Sequence, residues 1–128
     1  MNKLSIEDFI SEDINIIIED IDNGVKVKFI GDIDSQDPDS LLMPFFERTN
    51  SKIIENDIKQ IELDFIKLNF MNSSGIKVII KWAQLSLILP EHKSYKFRIL
   101  ANSHVSWQVN SLKLLTMLSP DIIEISII

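Results

Sequence analysis

The chain has 128 residues, 45% of them hydrophobic and 25% charged, which is the size and balance of one globular domain with a real core. It has no cysteine, which removes disulfides, thiolate nucleophiles and most zinc sites and suits a reducing cytoplasm. The net charge of −6 is uneven, with 16 acidic against 6 basic residues up to Asp64 and 3 against 7 after it, and no dense basic cluster offers nucleic acid a phosphate-binding surface.

Residues 1–13 form a lead-in in which Ser5 and Asp8 are spaced like a weak capping box, so a short helix is expected there, docked by Leu4, Phe9 and Ile10. No basic region followed by an apolar stretch marks this end as a secretory signal. Residues 14–19 are β-branched and extended, Asp22-Asn23-Gly24 signals a turn, and Val25-Lys26-Val27-Lys28-Phe29 alternates with period two. That pattern is a β-hairpin, ended by Gly31 and the Asp-rich stretch to Asp39. A helix is expected from Asp39 or Ser40 to Lys52, with Pro44 tolerated as a first-turn residue if the helix starts slightly later. A buried strand over 57–65 follows, then a helix after Asn72-Ser73-Ser74-Gly75 that stops before Pro90. A strand over 95–101, a helix over about 103–118 and a strand over 122–128 complete the order ββαβαβαβ. Strands alternating with helices predict an α/β fold with a mixed, mostly parallel sheet of about five strands and helices packed on it. The most apolar run, Val78 to Leu89, is broken by Lys81, Gln84 and Ser86 and is too short to cross a bilayer, so a cytoplasmic protein is expected.

Little here resembles an active site. The glycines are Gly24, Gly31 and Gly75, too few and too scattered for a phosphate loop or dinucleotide fingerprint. His92 and His104 have no ligand spacing and no nucleophile setting. Asp32, Asp34, Asp37 and Asp39 lack the central glycine and terminal glutamate of a calcium loop, and Pro38 interrupts them, so a solvated loop whose last acids cap a helix explains them better. No metal and no cofactor are expected.

The turn at Asn72 to Gly75 supports two readings. In one, Asn72 or Ser73 merely caps the helix. In the other, a serine hydroxyl stands exposed at the C-terminal edge of the sheet, where a phosphate would meet free amides and add about −1.5 to −2 charge beside an acidic loop. In the helix that follows, Ile76, Ile79, Ile80, Ala83 and Leu87 form the sheet-facing stripe. Val78, Trp82, Leu85 and Leu89 form a second one, expected to be covered either within the chain or by a partner or second copy in a homodimer.

Leu63-Asp64-Phe65 and Phe70-Met71-Asn72-Ser73-Ser74-Gly75-Ile76 resemble the core motif of STAS domains, the anti-sigma factor antagonist family, across about residues 14–128. Gly31-Asp32-Ile33-Asp34 sits where that family has its Gly-Glu-Leu-Asp-type loop. Ser106-Trp107-Gln108, Ser111-Leu112-Lys113 and Leu118-Ser119-Pro120 are similar to a STAS-like subgroup of bacterial regulators with an Asn-Ser-Ser-Gly turn. The resemblance implies a non-enzymatic switch in signal transduction. A serine kinase of the anti-sigma, ATP-binding switch-kinase type would phosphorylate it and a PP2C-type phosphatase would reset it. The phosphoacceptor maps to Ser73, with Ser74 as the alternative. Asp32, Asp34, Ser35, Asn72, Gly75, Lys77 and Trp82 are then the partner-binding residues. Asn72 departs from the family, which usually carries Asp there. The alternative is a constitutive STAS scaffold or assembly subunit that is never phosphorylated.

Overall fold

A computed structural model describes residues 2–118 and 120–128; Ser119, in the last of the segments quoted above, lies outside the described residues. Phe9–Ile10 (β1), Ile14–Ile21 (β2) and Gly24–Ile33 (β3) are antiparallel neighbours. From β3 onward, Gln60–Met71 (β4), Lys96–Ala101 (β5) and Ile123–Ile127 (β6) run parallel, and the spatial order follows the chain order. Pro38–Glu55 (α1), Ser73–Leu87 (α2) and Ser106–Leu118 (α3) make the three crossovers. Each crossover steps the same way across the sheet, so one hand of connection puts all three helices on one face.

Period-two alternation decides which side chains meet those helices. Val25, Ile61, Phe97 and Ile123 lie in one register row and Val27, Leu63, Ile99 and Ile125 in the next. All but the half-buried Ile125 are buried under the helices. Phe46 of α1 stacks on Trp82 of α2 at 4.5 Å between centroids, and Trp82 meets Phe97 edge-on at 5.2 Å.

The opposite face of the sheet is open, which is unusual for parallel strands. Its side chains explain how it tolerates water. Glu19, Lys26, Glu62, Arg98 and Glu124 occupy one continuous row across five strands and alternate in sign. Lys26 Nζ lies 3.3 Å from Glu62, and opposite charges directly across a sheet stabilise it.

The lead-in differs from expectation. It carries no helix among its described residues: Phe9–Ile10 pairs with β2 and makes a sixth strand. Ser5 has a left-handed backbone (φ 55°), and the Asp8 carboxylate accepts the Ile18 amide, so neither residue caps a helix. Pro44 is also not a first-turn residue. Asp37 is the N-cap and Pro38 takes the first turn, which leaves Pro44 inside α1 with its ring exposed. β4 runs six residues beyond the expected end at Phe65. Its register against β3 shifts twice, between Lys28 and Ile30 and between Gly31 and Asp32, as bulges do.

Candidate functional site

The long end of β4 delivers Asn72 to the edge of the sheet. Beyond Asp64, β4 has no further pairing with β5, so its carbonyls need other donors. Three side chains after β5 supply them. Gln108, fully buried, donates to the Phe65 and Leu68 carbonyls at 2.7 and 2.8 Å, while its own carbonyl oxygen accepts the Asn102 amide. Asn102 Nδ2 donates to the Ile66 carbonyl, and Trp107 Nε1 to the Asn69 carbonyl at 2.7 Å. The Trp107-Gln108 segment therefore holds up the strand that carries the turn. Spacing alone does not reveal this role, because its partners lie some 40 residues earlier, although a polar residue at the start of an apolar helix was a usable signal.

At the turn itself Asn72 is the N-cap of α2. Its Oδ1 accepts from the Gly75 amide at 2.8 Å and its Nδ2 donates to the Ser35 carbonyl at 2.9 Å. Its backbone amide bonds to the Ile33 carbonyl. Asn72 thus ties the β3–α1 loop to the head of α2, a double role that a carboxylate, having no donor, cannot fill. Gly75 is buried here, and a Cβ on it would stand 2.7 Å from Met71 Cγ and 2.9 Å from Ile33 Cγ2.

Ser73 and Ser74 occupy the first two helical positions and are exposed. Their amides belong to the first turn, which has no intrahelical acceptors, and among the described residues no side chain takes their place. No acidic residue stands in that first turn either. Asp32, near the end of β3, and Ser35, in the loop that Asn72 holds, are half-buried; Asp34 of that loop is exposed, and Lys77 is exposed one turn into α2. The structure brings these residues of the β3 end, the loop after it and the α2 head to one sheet end. Gly31, at φ 117°, lies two residues before the end of β3, beside its bulge; a Cβ there would press to 2.2 Å from the Asp13 carbonyl oxygen.

Trp82 does not belong to the group. It was expected to face a partner, and it is fully buried, stacked on Phe46, with its Nε1 donating to the Tyr95 hydroxyl at 3.0 Å. Along the second stripe of α2, which packs against α1, Val78 and Trp82 are buried within the chain, while Leu85 and Leu89 are half-buried against the same core. Burial also pushes the Tyr95 phenol far above its ordinary titration range.

The acids at the head of α1 divide by task. Asp37 caps α1, accepting from the Ser40 amide and hydroxyl, and those bonds hold its carboxyl below the ordinary carboxylate value. Asp39 pairs with Lys81 of α2. Among the described residues no three His, Asp or Glu side chains converge as metal ligands do. No helix among them is long and apolar enough to cross a membrane.

No model of a known protein family matches the sequence, and no curated protein matches it. Solved structures do match its shape. One is an anti-sigma factor antagonist from Mycobacterium paratuberculosis, with a TM-score of 0.57 and 20% identity over 84% of this chain and 83% of that one. Another is the anti-sigma factor antagonist SpoIIAA in its unphosphorylated form, with a TM-score of 0.56 and 16% identity over 87% of each chain. The mixed sheet in chain order with its three helices is therefore a STAS-type fold, the fold of these anti-sigma factor antagonists.

Proposed function

We propose that this protein is a non-enzymatic regulatory switch of the anti-sigma factor antagonist type, controlled by reversible phosphorylation of Ser73. The observation that carries the reading is the head of α2. An exposed hydroxyl stands at a helix N-terminus whose cap is neutral, whose first amides are open and whose neighbours include the acids Asp32, near the end of β3, and Asp34, in the loop after it. A phosphate on Ser73 would sit in the field of the helix dipole and add about −1.5 to −2 charge there, enough to repel one partner and favour another. The shared fold with anti-sigma factor antagonists supports the same role. The partners are then a serine kinase of the anti-sigma, ATP-binding type and a PP2C-type phosphatase, meeting a face made by Asp32, Asp34, Ser35, Asn72 and Lys77 in the cytoplasm. Ser74, equally exposed, is the alternative acceptor.

A constitutive STAS scaffold is the second reading, and Asn72 favours it, because the residue is fully occupied in holding the loop to the helix. Incubation with a purified serine kinase of the ATP-binding switch type separates the two. Phosphate on Ser73 that disappears in Ser73→Ala supports the switch; no incorporation by a kinase active on its own substrate supports the scaffold.

A further inference from the structure

The two edges of the sheet are unlike. β1 offers two residues, whereas β6 offers five, Ile-Glu-Ile-Ser-Ile, with no lysine or proline among them. Natural sheets commonly guard a long edge with such residues. The pairing of β6 with β5 determines which backbone groups remain. The Phe97 amide bonds to the Ile122 carbonyl and the Ile128 amide to the Ala101 carbonyl, so even-numbered residues of β6 face β5. By the period of two, Ile123, Ile125 and Ile127 turn both N–H and C=O outward, and among the described residues no strand meets them.

We infer that a second copy of this chain pairs antiparallel along β6, about a two-fold axis through Ile125. In that register Ile125 faces its own counterpart, Ile123 faces Ile127, and each uses both of its free backbone groups. Charge selects the same register. Glu124, the last member of the alternating row, falls opposite Ser126 of the second copy rather than opposite another carboxylate, and Arg98 Nε lies 3.4 Å from Ser126 Oγ. Each Arg98, whose side chain leans towards Ser126, therefore stands beside the incoming Glu124. On the helix face, the same pairing covers a largely apolar hollow of about 410 Å³ lined by Leu112, Met117, Ile125 and Ile127, of which Met117 is 76% and Ile127 49% exposed. Pairing along a shared two-fold is the usual way in which such a self-complementary edge closes.

The mass in solution, measured by sedimentation over a concentration series, tests this. The parent is expected to approach twice 14.7 kDa reversibly. Ser126→Glu puts carboxylates opposite Glu124 at two symmetric places and should weaken the dimer, and Ser126→Lys should tighten it, each by about fivefold. Ile125→Pro removes an amide that β5 does not use, so it should leave a folded monomer; should it unfold, the Ser126 pair decides alone. A parent that stays monomeric at millimolar concentration overturns the inference, and so does a dimer indifferent to both Ser126 substitutions.

Discussion

Two helix heads, α1 and α2, lie at the same end of the sheet and are capped by opposite chemistry. Asp37 caps α1 with a carboxylate, Asp39 adds a second in the first turn, and Lys81 answers Asp39. The positive end of that helix is already neutralised. Asn72 caps α2 with a neutral amide, no acid follows, and the two exposed residues are serines. The head of α1 is thus finished as a structural joint, while that of α2 keeps its field available to an anion brought from outside. A cap residue is therefore informative by its charge as well as by its presence.

Breaking what the two helices share should have the largest effect. Trp82→Ala removes the indole stacked on Phe46 and is expected to cost about 3–5 kcal/mol, read as a lower midpoint in urea. Next comes the support under the head of α2 alone. Gln108→Leu strands the buried Phe65 and Leu68 carbonyls and should cost about 1–3 kcal/mol. Hydrogen exchange should then quicken in residues 65–72 more than in α1; uniform loss of protection would show that Gln108 acts on the whole core. Asn72→Ala should cost about 1 kcal/mol. Asn72→Asp keeps the acceptor for the Gly75 amide but sets a carboxylate against the Ser35 carbonyl. It should stabilise less than Asn72 does, and an Asp variant as stable as the parent would remove the double role assigned to Asn72.

The smallest effect is the pH dependence of the α1 cap. Its bonds from Ser40 lower the folded-state value of Asp37 below 3.8. The stability it contributes is present above that ordinary value and is lost as pH falls through the lower folded one. Asp37→Asn should flatten the acid limb of the stability curve, whereas the α2 cap, being neutral, should add no slope.

Much of this architecture is legible in the chain. The strict alternation at Val25-Lys26-Val27-Lys28-Phe29 marks β3, and the wet members of that alternation, Lys26 and Lys28, do lie on the open face. The turn at Asn72 also stands where a strand gives way to a helix, with Asn72 as its cap. The lead-in misled because Ser5 and Asp8 have capping spacing, while the free edge of β2 offered Phe9 and Ile10 backbone partners that no local pattern announces. Trp82 misled for a related reason. A second apolar stripe on a helix says only that something covers it, and whether the cover is α1 or another molecule depends on where α1 lands.

By itself, then, the sequence determined the alternation of strands and helices and the neutral cap with its two serines, because each depends on residues close together in the chain. Only the tertiary structure decided that Trp82 is core, that Gln108, Asn102 and Trp107 carry the bulged end of β4, and that the charges of five strands fall into one alternating row. These depend on register and on contacts made across tens of residues, which periodicity within a segment does not encode.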